Sequence, residues 1–153
     1  MSSPTVEQLR AFFEEGALAQ RAAASLKNGA QIALIVENTS YTFTKEGGRN
    51  RLLAQAPIKA DMTFTMPAAS ALELVTRRFD SVGQVGLHIF EDVLSQDPTR
   101  KVGARFHCGF LTLMTSGYMG ILTAGGADVA KFLASRGFGN ISKLKDAIAR
   151  LKL

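Results

Sequence analysis

The chain contains a single cysteine, Cys108, so it cannot form an internal disulfide. Its two histidines and that one thiol show none of the paired spacings that hold zinc, so neither a metal nor a cofactor is expected. This usage suits a reducing compartment, and the expected location is the cytoplasm. Tryptophan is absent, and only four prolines interrupt the chain. No apolar run approaches the roughly 20 residues of a spanning helix, and no basic stretch followed by an apolar core opens the sequence. A chain of 153 residues without repeats, linkers or low-complexity tracts reads as one domain over residues 1–153. A domain of that size buries about 70% of its unfolded surface without staples.

Positive charge is in excess by five, with a pI near 9.7. No zinc-finger, helix-turn-helix or Arg-Gly-aromatic signature accompanies it, so the excess reads as a solvated basic surface and no nucleic-acid partner is expected. An anionic membrane surface remains a candidate partner.

Ala60 to Met66 alternates strictly. Ala60, Met62, Phe64 and Met66 fall on one face, and Asp61, Thr63 and Thr65 on the other, the period of a half-buried strand. Pro67 stops it, and Ser70-Ala71-Leu72-Glu73 reads as a capping box for a helix carrying Leu72, Val75 and Phe79. Upstream, residues 4–27 read as one helix, with Pro4 at its first position, Thr5 and Gln8 as a capping box, and Asn28-Gly29 as its end. Residues 31–36 and 41–44 form a hairpin. After the turn at 46–50 the chain returns through Leu52 and Leu53 into the 60–66 strand, giving a three-stranded antiparallel meander.

Residues 81–96 carry Val82, Val85, Ile89 and Val93 at helical spacing, and His88 groups with Gln84, Glu91 and Asp92 on the polar side as a solvated histidine. Alternation over 100–107 predicts a fourth strand, 109–116 is ambiguous, and 118–124 predicts a fifth. Helices are then expected over 127–136 and from Asn140 onward. Gly125-Gly126-Ala127-Asp128 lacks the Gly-Lys-Ser/Thr end of a phosphate loop and reads as a tight turn.

The stretch Ile58-Lys59-Ala60-Asp61-Met62-Thr63-Phe64-Thr65-Met66-Pro67, followed by Leu72, Leu74 and Val75, resembles the centre of the sterol carrier protein 2 family, whose hallmark is a Lys-Ala-Asp-x-Thr-x-Thr-Met strand running into a helix. The segment from Asp80 to Gly117 is longer than that family's usual link. The resemblance implies an α+β domain with a five-stranded, mostly antiparallel sheet covered by helices on one face. It also implies an apolar tunnel holding a fatty acid, acyl-CoA, sterol, phospholipid or isoprenoid, and no catalytic residues.

The expected pocket wall is Met62, Phe64, Met66, Leu72, Val75, Phe79, Phe106, Ile121 and Phe132. Ile141, Leu144, Ile148 and Leu151 lie on one helical face, with Lys143 and Lys145 beside them, as an expected lid or membrane contact. The expected activity is binding or transfer of a lipid without chemistry. One alternative is an accessory subunit that uses the groove for a protein partner or the prenyl tail of a quinone precursor. Another is a hydrolase acting through Cys108. His107 is not expected to serve as its base, because neighbours on a strand point to opposite faces, and His88 could do so only through a tertiary contact with Cys108.

Overall fold

The computed structural model describes residues 3–117, together with Lys131, Ala134 and Ser135. The fold is α+β. Helix α1 (Val6–Arg10) begins at the Thr5–Gln8 capping box, in which the Thr5 hydroxyl accepts from Gln8 N at 3.1 Å and Gln8 Oε1 accepts from Thr5 N at 2.9 Å. A π-helical turn (Ala11–Glu15) and helix α2 (Ala17–Ala22) follow. The expected continuous helix over 4–27 is therefore broken. Gly16 takes an extended conformation between the pieces, and any Cβ there would collide with the Phe12 carbonyl oxygen.

Five strands form one sheet in the order β3-β2-β1-β4-β5: β1 (Gln31–Val36), β2 (Thr39–Glu46), β3 (Arg49–Leu53), β4 (Met62–Met66) and β5 (Gly103–Phe106). Three of the pairings are antiparallel, and β4 runs parallel to β1. This corrects the expected meander. Residues 49–53 are a strand in their own right, and the 60–66 segment does not continue it. Residues 54–61 instead cross the sheet and deliver β4 to the far side of β1.

Polar contacts fix that crossing. Thr42 donates to the Gln55 carbonyl at 2.8 Å, Asp61 N donates to the Gln31 carbonyl at 2.8 Å, and Gln31 N donates to the Asp61 carboxylate at 3.2 Å. The expected fifth strand, 118–124, lies outside the described residues, as do the expected helix from 140 onward and most of that over 127–136.

Register places Ile32, Leu34, Tyr41, Phe43, Leu52, Met62, Phe64, Met66 and Phe106 on one face. Leu9, Ala23, Leu26, Ala71 and Leu74 from the helical segments join that face in the core. The N-terminal segment also protects an edge. At β3, Leu52 N donates to the Glu14 carboxylate at 2.6 Å and the Leu52 carbonyl accepts from Arg10 Nε at 3.3 Å, so a peptide that would otherwise be open to a foreign strand is paired. Lys45 is buried on the same face, and its ammonium donates to the Ala23 and Ala24 carbonyls at 2.6 and 3.1 Å, closing the end of α2.

Helix α3 (Ala68–Thr76) starts directly after β4, and its N-cap is Pro67 rather than Ser70. Its first N–H, at Ala68, donates to Glu37 Oε1 at 2.9 Å, so a side chain from the end of β1 does the capping expected of the local sequence. Helix α4 (Val82–Val93) packs against α2 and α3. The ambiguous stretch contains α5 (Phe110–Thr115). No helix among the described residues is long and apolar enough to cross a membrane.

Candidate functional site

The described residues of the expected pocket wall come from β4, α3, the segment after α3 and β5, and they are buried to different depths. Met62 and Met66 are 6% and 4% exposed and belong to the core. Phe64, Val75, Phe79 and Phe106 pack against that core yet stay only partly buried, together with Val85 and Ile89 from α4. Leu72 is also partly buried. Ile121, Phe132, Ile141, Lys143, Leu144, Lys145, Ile148 and Leu151 lie outside the described residues.

Two open grooves border the sheet. One, of about 500 Å³, runs past Thr65, Met66, Pro67, Thr99 and Gly103, and the other, of about 460 Å³, past Thr42, Thr44, Gln55, Pro57 and Ile58. Met66 is the single expected wall residue that borders either.

Between α3 and α4 lies a polar network that the sequence reading did not anticipate. Ser70 and Glu73 face it from α3, His88 and Asp92 from α4, and Arg100 from the following loop. Ser70 Oγ is fully buried and donates to Asp92 Oδ2 at 2.6 Å. Arg100 bridges the carboxylates, donating to Glu73 at 2.6 Å and to Asp92 at 3.3 Å.

His88 is 4% exposed, so the expectation of a solvated histidine is overturned. The polar side of α4 divides. Gln84 and Glu91 face water, whereas His88 and Asp92 turn inward to meet the polar groups of α3. Spacing alone could have flagged the pairs, since Ser70/Glu73 and His88/Asp92 stand three and four apart on their helices. By local pattern alone they resemble a cap and a wet face.

His88 Nδ1 is 3.8 Å from Glu73 Oε1, and Nε2 is 3.5 Å from Asp92 Oδ2 without making a hydrogen bond. The Arg100 hydrogen bond holds the Glu73 carboxyl below the usual glutamate range, against the desolvation that would raise it. The same bond raises Arg100. A Ser-His-Asp set invites a catalytic reading, but Ser70 is inaccessible and gives its proton to Asp92 rather than to His88, so no nucleophile is assembled.

The network touches the partly buried apolar residues at Phe79. Its ring centroid is 5.5 Å from that of His88, and the Arg77 guanidinium carbon lies over the same ring, 5.2 Å from its centroid. Cys108 is partly buried against the core, and the adjacent His107 places Nε2 2.7 Å from the Thr63 hydroxyl. No metal-holding group of His, Cys, Asp or Glu is found among the described residues. No family model, no curated protein and no solved structure matches the chain.

Proposed function

We propose that this chain binds and hands on a hydrophobic lipid without chemistry, and that the lipid chain lies along Phe64, Val75, Phe79 and Phe106. The observation that carries the reading is an inversion of ordinary burial. Ser70, His88 and Asp92 are sealed between α3 and α4, while the apolar side chains of Phe64, Val75, Phe79 and Phe106 remain partly open. The resemblance of the stretch over residues 58–67 to the sterol carrier protein 2 family supports the same reading, as does a five-stranded sheet whose apolar face is met by helices. Affinity would come from the cargo. Each methylene removed from water contributes about 0.8 kcal/mol, so about ten of them reach the roughly 8 kcal/mol of a micromolar complex before ordering losses.

Native mass spectrometry of the purified protein, followed by titration with a pyrenyl alkane, tests this. Co-purified lipid and saturable probe binding are expected, with binding weakened in Phe64→Ala and Phe79→Ala and unchanged in Ile58→Ala, whose side chain is 97% exposed in the crossing segment. A protein that carries no lipid and does not bind the probe would end the reading.

A further inference from the structure

Among the described residues, His88 Nε2 is a buried side-chain atom without a hydrogen-bond partner. Such an atom ordinarily finds water, an ion or a ligand group. The imidazole packs against the half-buried Phe79 ring, which lies between α3 and α4 and joins the partly buried apolar residues against the core. We propose that His88 is the polar anchor of the lipid site and that it selects cargo ending in an uncharged hydroxyl over a fatty acid. The inference rests on the lipid-binding reading above and names the cargo class for it.

The choice of head group follows from charge and hydrogen-bonding capacity. Glu73 and Asp92 face the two imidazole nitrogens at 3.8 and 3.5 Å, and the nearby guanidinium groups are turned to those carboxylates: Arg100 binds both, and Arg77 is 3.7 Å from Glu73. A third carboxylate brought to the buried His88 would meet two others at close range. An ammonium head would have to shed its hydration against Phe79. A hydroxyl both donates and accepts, so it satisfies Nε2 whichever tautomer the ring adopts, and its desolvation is far smaller. The pattern matches small-molecule sites generally, in which apolar walls hold the body of a ligand and a few polar groups fix its orientation.

Displacement of the pyrenyl alkane by hexadecanol, palmitate and hexadecylamine gives the test, read beside the ¹⁵N shifts of labelled histidine. Hexadecanol is expected to bind tightest and to move the His88 Nε2 resonance. His88→Leu is expected to weaken hexadecanol about tenfold, the scale of one hydrogen bond, while leaving palmitate unchanged, and His88→Gln to restore part of the loss. A preference for palmitate or the amine, or equal losses for alcohol and acid in His88→Leu, would overturn the proposal. If His88→Leu does not fold, the ¹⁵N titration of the unaltered protein decides, since an unmoved Nε2 resonance at saturating hexadecanol refutes the anchor. Failure of the alkane itself to bind would instead overturn the lipid reading, and this inference with it.

Discussion

Asp92 holds the α3–α4 contact together, and its removal should show how strongly a buried polar network fastens two helices here. In Asp92→Ala the Ser70 hydroxyl, which is fully buried, loses its acceptor, and Arg100 keeps only Glu73. An orphaned buried hydroxyl costs about 1 to 3 kcal/mol. The Arg100 contact adds less, because that side chain is one-third exposed and water can take over one of its bonds. The expected loss is thus about 2 to 4 kcal/mol, or a fall in melting temperature of roughly 5 to 15 °C for a chain of this size.

Ser70→Ala should behave differently. It removes a donor from a carboxylate that Arg100 still pairs, so about 1 kcal/mol is expected, and the double variant should cost less than the sum of the two singles. Urea titration followed by far-ultraviolet circular dichroism measures all three. An Asp92→Ala loss below about 1 kcal/mol, or strict additivity with Ser70→Ala, would refute the network as the fastening between α3 and α4.

Lys45→Met keeps the stem of a buried side chain and removes the cation that closes α2, so a loss of about 1.5 to 3 kcal/mol is expected in the same urea titration. A fully stable Lys45→Met would mean that the Ala23 and Ala24 carbonyls find other donors. Because the Glu73 carboxyl is held below its ordinary range when folded, its contribution to stability is fully present above the unfolded value near 4.5 and is lost as pH falls through the lower folded value. Thermal melts of Glu73→Gln should therefore converge on those of the unaltered protein below that window and diverge above it, and parallel curves across the whole range would contradict the assignment.

Features settled by local chemistry were legible in the sequence. The Thr5–Gln8 box, the alternation through Met62, Phe64 and Met66, and the apolar stripe of α4 all depend on neighbours within a turn or a strand. Features settled by distant partners were not. Ser70-x-x-Glu73 satisfies the pattern of a cap, but Pro67 and the Glu37 carboxylate had already supplied one, so Ser70 was left inside the helix to meet Asp92. The parallel pairing of β4 with β1 rests on Gln31 meeting Asp61 from 30 residues away, and alternation is silent on a strand's direction or neighbour. His88 depended on which helix would face it. A wheel sorts residues by polarity, and a polar side can be wet or can meet another polar side, as α3 and α4 do here.

The same limit separates core from candidate site. Met62 and Phe64 share one face of β4 by period, yet Met62 is sealed and Phe64 is not. The difference lies in their cross-strand neighbours. Met62 stands between Ile32 on β1 and Phe106 on β5, two large side chains, whereas Phe64 stands between Leu34 and Ala104. A methyl group on one side leaves that flank of the ring open, since paired side chains on a sheet seal each other only when both are large enough to meet. Periodicity can say that Phe64 points inward. Whether the space it points into is filled was decided by the register of β5, set from a strand about 40 residues further along the chain. The small residue at Ala104 therefore gives the partial exposure of Phe64 a physical origin, and it leaves open an aromatic that would otherwise be core filling.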